Sequence, residues 1–338
     1  MTMKKLAELA QLDVSTVSRA LNGDTARVSA ATIARVQELA DQHGYRRDPI
    51  AATLRAGRSQ VIGVLVSTVT DVVMAAIFDA VDRAAAAAGY QAVVASSRES
   101  AAVRREALAG YIDRRVDGVI MADALTSSSV PRVLRDSGIP FVMALRKSGN
   151  HPAVTSDDHA GGRLVAEHLL ALGHHEMAVL AGPRNISTSR DRFAGFASAL
   201  EEAGAALPPA LVTHGSWGVR QGYDAMSAVL TAGGRPTAVF ALNDYNAIGA
   251  AKALEEHGLR IGTDVALVGY NDVDVSSHLT VPLSSVRNDL ENVGTQAAEM
   301  LIARLKGNAV ESRVLPPRLI VRESSRSVAA AAPGTASP

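Results

Sequence analysis

Seven short apolar runs punctuate the chain: VIGVLV at 61–66, AVVAS at 92–96, GVIMA at 118–122, FVMAL at 141–145, MAVLAG at 177–182, AVFALN at 238–243 and VALVGYN at 265–271. Each is followed by an amphipathic helical stretch, and several of these stretches end in glycine, as in AAAGYQ, DSGIP and ALGHH. Runs this short and this continuously apolar suit strands covered on both faces, and strands that alternate with helices run parallel. The alternation predicts an α/β fold of parallel sheets flanked by helices. With eight or more β-α units in 338 residues, two sub-domains are expected rather than one sheet, and the crevice between them is the natural ligand site.

The first 45 residues have a different texture. Leu6, Leu9 and Ala10, then Val17 and Leu21, then Ile33, Val36 and Ala40 recur at helical spacing and predict three short helices. Thr2, Asp13 and Ser29 can cap their N-termini; Asn22-Gly23 and Gly44 can end the second and third. Only Gln11-Leu12 separates the first two helices, which requires a sharp turn. RRDPIAATLRAGRSQ (46–60) is basic and reads as a linker, with Pro49 in the first turn of a short helix too brief to be stable alone. The tail from Ser324 reads as disordered and lacks a leucine heptad.

Composition excludes several classes. There is no cysteine, hence no disulfide framework, thiolate metal site or cysteine nucleophile. The start is interrupted by Glu8, Gln11 and Asp13, unlike an export signal, and no apolar run approaches the 18 residues of a membrane span; a cytoplasmic protein with no membrane partner is expected. No GxGxxG, GxxxxGK[ST], GxSxG or HExxH motif occurs, so an enzyme is poorly supported and neither cofactor nor metal is expected. His174-His175-Glu176 reads as loop residues or helix C-terminal partners, and Arg104-Arg105 and Arg114-Arg115 read as a solvated helix face. Net charge is zero, but residues 1–60 hold nine basic against six acidic side chains. A mildly basic head on a mildly acidic body is compatible with nucleic-acid binding.

Within the head, DVSTVSRALNG (13–23) is the informative stretch. Helix, tight turn and helix within about 20 residues, with polar groups opening the second helix, is a DNA-reading geometry. Val14, Ser15, Ser18 and Arg19 fall on the faces that Val17 and Leu21 do not use. An arginine there can pair bidentately with guanine, and hydroxyls suit phosphates. The pattern alone leaves open an ordinary three-helix bundle with a solvated face.

TMKKLAELAQLDVSTVSRALNG followed by VSAATIARVQELADQHGYR resembles the DNA-binding head of the LacI/GalR family of bacterial transcriptional regulators. The likeness continues through IGVLV, DDHAGGRLVAEHLLALGH, AGPRNISTSRDRFAGF, ALNDYNAIGAAKALEEHGLRIGTDVALVGYND and PLSSVRND, covering roughly residues 2–323 in order. It implies a helix-turn-helix head (1–46), a hinge (47–59) and a periplasmic-binding-protein-like effector and dimerisation core (60–323), followed by a tail at 324–338. Within the core, an N sub-domain of about 60–158 plus 288–313 and a C sub-domain of about 159–287 plus 314–323 are expected.

The resemblance also implies residue roles. Val14, Ser15 and Arg19 match base-reading positions; Thr16, Ser18 and Asn22 match backbone-contacting ones; Leu54 matches the hinge leucine wedged into the minor groove at the operator centre. Arg192, before FAGF, matches the effector-binding arginine, Trp217 an aromatic packed on the ligand, and Asn243, Asp244 and Asn271 further cleft positions. The implied partners are near-palindromic double-stranded operator DNA, a small-molecule effector (a sugar or sugar acid) and a second copy of the chain in a homodimer. Repression is the family's commoner habit.

The chain departs from the family pattern. Arg47 replaces the usual hinge proline, Pro49 lies two residues later, and Ala52 stands in place of an arginine. The aromatic-bearing loop after the first strand reads Thr70-Asp71-Val72-Val73-Met74, which puts Asp71 in the expected effector site, and Leu145 and Asn271 stand where carboxylates are common. Two absent carboxylates leave Arg192 less compensated, which points to a carboxylated or phosphorylated effector; alternatively Asp71, Asp157 or Asp158 pairs with Arg192. The rival class, a solute-binding transport protein, shares the core but needs an export signal and no DNA-binding head.

Overall fold

The computed structural model describes residues 1–21, 23–45 and 58–325. The chain divides into two units at Ser59–Gln60. The expected hinge helix around Pro49, with Leu54, lies outside the described residues, as do Asn22 and residues 326–338.

In the first unit, α1 (Met3–Ala10), α2 (Val14–Leu21) and α3 (Ala30–Gln42) bury Leu6, Ala10, Val17, Ala20 and Val36 against one another. Thr2 Oγ1 accepts from the Lys5 amide at 3.3 Å and Ser29 Oγ from that of Thr32 at 3.2 Å, so both hydroxyls act as caps. Gln11, left-handed at φ 52°, closes α1 and makes the sharp turn. Ala7 rather than Leu9 completes the α1 stripe: Leu9 sits on the far side of the helix and is exposed.

The second unit holds two sheets. The first contains β1 (Val61–Val66), β2 (Gln91–Ser96), β3 (Gly118–Met121), β4 (Phe141–Ala144), β5 (Ala153–Ser156) and β11 (Arg313–Leu315), in the order β11-β5-β4-β3-β1-β2 and wholly parallel. The second contains β6 (Met177–Ala181), β7 (Val212–His214), β8 (Ala238–Ala241), β9 (Ala266–Asn271), β10 (Ser284–Arg287) and β12 (Arg318–Ile320), in the order β12-β10-β9-β8-β6-β7. Only the β10–β12 pair is antiparallel. Away from the edge strand β2, which is only partly buried, the apolar runs owe their continuity to burial on both faces. Ile62, Val64 and Val66 pack with Ile77 and Val293, whereas Leu65, Val119 and Met121 pack on the opposite face with Leu108 and Leu134.

Helices α4 (Val72–Ala87), α5 (Ala101–Asp113), α6 (Val130–Asp136) and α11 (Leu290–Leu305) belong with the first sheet. The second sheet carries α7 (Asp158–Ala171), α8 (Ser187–Glu202), α9 (Val219–Thr231) and α10 (Asp244–Glu256). Because β11 keeps residues 313–315 in the first sheet, the last crossing falls after Leu315 rather than after residue 313. The expected disordered tail begins too early as well: Ser324 and Ser325 are buried, Ser324 Oγ donating to the Leu267 carbonyl at 2.6 Å and Ser325 Oγ to Ser284 Oγ at 2.6 Å.

In both sheets the chain order reverses beside the first strand, at β1/β3 and at β6/β8. Ligands of such sheets bind beyond the carboxyl ends of the strands at that point. The α7–α8 contact beside it depends on glycine. A Cβ on Gly195 would lie 1.9 Å from the His159 carbonyl oxygen, and one on Gly162 would lie 2.0 Å from that of Arg192. Gly195→Ala is therefore expected to force the helices apart and to cost about 1–3 kcal/mol, read as a lower denaturation midpoint in guanidinium.

Candidate functional site

Helix α2 turns Val17 and Ala20 fully inward. Val14 is 41% exposed, Ser15 and Arg19 are exposed, and Thr16 and Ser18 are half-buried. Residues 14, 15, 18 and 19 share a face because i and i+4 stack one helical turn apart. Arg19 makes no ion pair with any described residue. The structure thus brings the described members of the expected reading face together on an exposed surface.

In the second unit, a cavity of about 390 Å³ opens between the sheets. Thr68, Asp71, Arg98 and Glu99 line one wall; Ser216, Trp217 and Asn243 line the other. A narrow inner extension of about 20 Å³ reaches Leu145, Arg146, Arg192 and Asn271. Two of these inner residues hold left-handed backbone, Leu145 at φ 63° and Asn271 at φ 102°, strain of a kind that gathers at ligand sites.

Arg192, on α8, is 3% exposed. Its Nε donates to Asp158 Oδ1 at 2.8 Å, Nη1 to the Leu242 carbonyl at 2.8 Å and Nη2 to Asn271 Oδ1 at 3.3 Å. The guanidinium also stacks 3.7 Å from the Tyr270 ring centroid. Burial pushes the Asp158 carboxyl up, and the guanidinium pulls it back. Arg192 is therefore charge-compensated from within the protein, by Asp158 among the three carboxylates considered. Arg192 thus has its counter-ion in Asp158, and the two absent carboxylates leave it no unpaired charge.

Other expected cleft residues divide. Trp217 lies across Gly182, where a Cβ would sit 2.0 Å from the indole, so glycine at the end of β6 is what admits the ring. Asp71 and Asn243 line the cleft while capping α4 and α10: each accepts a backbone N–H, from Val73 at 2.9 Å and from Tyr245 at 2.8 Å. Asp244 does not reach the cleft. It is fully buried, accepting from Ser285 Oγ at 2.6 Å and the Val273 amide at 2.8 Å, and so braces β10 and the β9 exit against α10.

Two features escaped the sequence reading. Arg104, expected on a solvated face, is 4% exposed and donates to Asp123 Oδ2 at 2.6 Å. Arg146, at the end of β4, is 3% exposed and lines the inner extension; its Nη2 reaches Glu99 at 3.4 Å, and its buried Nη1 has no partner. The signal available for both was an arginine immediately beside an apolar, strand-forming run or on its covering helix. His174 Nδ1 lies 3.1 Å from Thr237 Oγ1. No group that could hold a metal ion occurs among the described residues.

Comparisons with known proteins follow the same division. Residues 2–48 match the family of bacterial regulatory proteins, lacI family, and residues 166–325 match a periplasmic binding protein-like domain. The chain is 31% identical over 335 residues to the HTH-type transcriptional repressor PurR of Haemophilus influenzae, covering 97% of this chain and 99% of that protein. It is 32% identical over 335 residues to the HTH-type transcriptional regulator CelR of Thermobifida fusca, with 96% and 98% covered. A crystal structure of the lac repressor dimer bound to operator and the anti-inducer ONPF superposes with a TM-score of 0.87 at 29% identity, covering 97% and 99% of the two chains. A CelR–cellobiose complex superposes with a TM-score of 0.75 at 31% identity, covering 96% and 100%.

Asp244 generates a pH prediction. Burial pushes its carboxyl up to about 6 against the hydrogen bonds it accepts. The folded state then holds this proton to higher pH than the unfolded chain does, so its contribution is full below about 4 and is lost as pH rises through about 6. In denaturant melts, Asp244→Asn should gain stability relative to wild type between pH 4 and pH 7; a difference that stays constant across that range would refute the shift.

Proposed function

The chain belongs to the lacI family of bacterial regulatory proteins, and from that premise we propose how its two units divide the work of a DNA-binding transcriptional regulator. Its relatives are repressors rather than enzymes, and we assign it repression and no catalytic step. The carrying observation is one chain that joins a helix face with Val14, Ser15 and Arg19 exposed and Ser18 half-buried to a cleft walled from two sheets by Asp71, Trp217 and Asn243.

On this reading residues 1–46 are the head, 47–59 the hinge and 60–323 the core. Val14, Ser15 and Arg19 read base edges in the major groove; Thr16, Ser18 and Asn22 hold the phosphate backbone; Leu54 wedges into the minor groove. The lac repressor is a dimer on its operator and CelR binds cellobiose. By analogy this chain forms a homodimer on a near-palindromic site and takes a sugar or sugar acid between its sheets, against Arg192, Trp217 and Asn271. No described helix is long and apolar enough to cross a membrane, and we place the protein in the cytoplasm, with the DNA it binds.

Effector and operator then act through one coupling free energy, typically about 1–3 kcal/mol, which each must exert on the other equally. Selection from randomised duplexes with the full-length protein should enrich a near-palindromic site; recovery of no such site would sink the assignment. Arg19→Ala should lose about 1–3 kcal/mol at a single base pair per half-site and relax preference there, measured by competition gel shift. Equal weakening on every sequence would reduce Arg19 to a phosphate contact.

A further inference from the structure

Three arginines of the second unit are buried among the described residues, Arg146 and Arg192 at the inner cleft and Arg104 elsewhere, and two of the three have a buried carboxylate each. Arg104 holds Asp123 at 2.6 Å and Arg192 holds Asp158 at 2.8 Å, all four side chains at most 5% exposed. Arg146 does not follow this pattern. Its one ion-pair partner among the described residues is Glu99, 3.4 Å away and 40% exposed, and its Nη1 is buried without a partner. Asp123 also faces it, its Oδ2 held by Arg104 and its Oδ1 buried without a direct partner, and Asp71 faces it from the cap of α4.

The hydrogen-bonding inventory of the inner extension is equally one-sided. Asn243 Oδ1 is taken by the Tyr245 amide, Asn271 Oδ1 by Arg192 and Asn288, and Asp71 Oδ1 by the Val73 amide. What stays open is mostly donors: Arg146 Nη1, two further N–H groups of Arg192, and the amide nitrogens of Asn243 and Asn271. The second Asp71 oxygen and the Thr188 hydroxyl are the side-chain acceptors left there. A neutral polyol brings a donor with every hydroxyl and would leave most of them unmatched. A carboxylate or phosphate brings acceptors only.

We propose that the effector carries an anionic group, a carboxylate or a phosphate, and that Arg146 receives it through Nη1 at the inner end of the cleft. The inference rests on the cleft being the effector site and adds the charge class and the receiving residue. Burial lowers the proton affinity of Arg146, as expected of a guanidinium short of compensation.

Trp217, the single tryptophan of the chain, lies on the opposite wall and reports binding by fluorescence. The full-length protein is titrated with D-gluconate, D-glucuronate, D-galacturonate and D-glucose 6-phosphate, each beside its neutral parent sugar. Fluorescence and melting temperature are both read, and the carboxylate and phosphate arms distinguish the two sources of the anion. At least one acid is expected to bind ten-fold or more tightly than its neutral parent. Arg146→Gln should abolish that preference and Arg146→Lys should restore part of it, with the ligand-free melting temperature of each variant read to separate lost preference from lost fold. A neutral sugar that binds wild type and Arg146→Gln alike overturns the proposal while leaving the cleft as the effector site. An acid whose binding ignores Arg146→Gln also overturns it, as when a water shared with Asp123 Oδ1 satisfies Nη1, and so does silence toward every acid. Ligand stabilisation that leaves Trp217 fluorescence unchanged and survives Trp217→Phe would instead remove the cleft reading itself.

Discussion

A guanidinium taken out of water has five N–H groups to satisfy and a charge to balance, and the C sub-domain is arranged around doing this for Arg192. Its partners come from separate elements: Asp158 from the first turn of α7, the Leu242 carbonyl from the exit of β8, and Asn271 and Tyr270 from the end of β9. For all of them to converge, α7 and α8 must touch backbone to backbone, which Gly162 and Gly195 permit. Removing either member of a buried pair strands the other charge, at a cost of about 3–5 kcal/mol. The inner cleft therefore has a braced floor on this side, shared with Trp217, facing the wall of Asp71, Arg98 and Glu99.

The fold was legible where its cause is local and periodic. All seven apolar runs are strands; in six of them two-sided burial leaves little polar alternation to blur the pattern, while the edge strand β2 is only partly covered. Missed were β5, β7, β10, β11 and β12. Each has at most four residues, and β10 reads Ser-Ser-Val-Arg. Its serines are buried only because Arg322 and Asp244 supply hydroxyl partners from distant parts of the chain. The same long-range pairing buries Ser324 and Ser325, whose composition alone suggests disorder.

The site was legible to a different degree. The exposed face of α2 follows from helical spacing, and Arg192, Trp217, Asn243 and Asn271 stand at the cleft. Asp244 and Arg104 show what a linear pattern withholds. An aspartate next to cleft residues turns inward because Ser285 and the Val273 amide need an acceptor, and an arginine beside a second arginine turns inward because Asp123 lies behind it. Arg146 is the complementary case, a buried charge whose one ion-pair partner among the described residues, Glu99, is itself 40% exposed.

The chain passes between the sheets near residues 157, 288 and 316, and each passage leaves from or arrives at the edge formed by β5 and β11 on one side and β10 and β12 on the other. The last is only Pro316-Pro317, a strap that can span no more than about 10 Å and whose φ angles are fixed. Within the second unit the two sheets are bound like the covers of a book whose spine is this edge, and the short strap keeps them from sliding apart. Travel grows with distance from the spine. β1, where the chain leaves the linker, lies four strands from β11, about 19 Å at the usual spacing, so a 10° turn carries it about 3 Å. Any turn about this spine is thereby largest away from it, at β1 and β2, and β1 is the strand that follows the first unit in sequence.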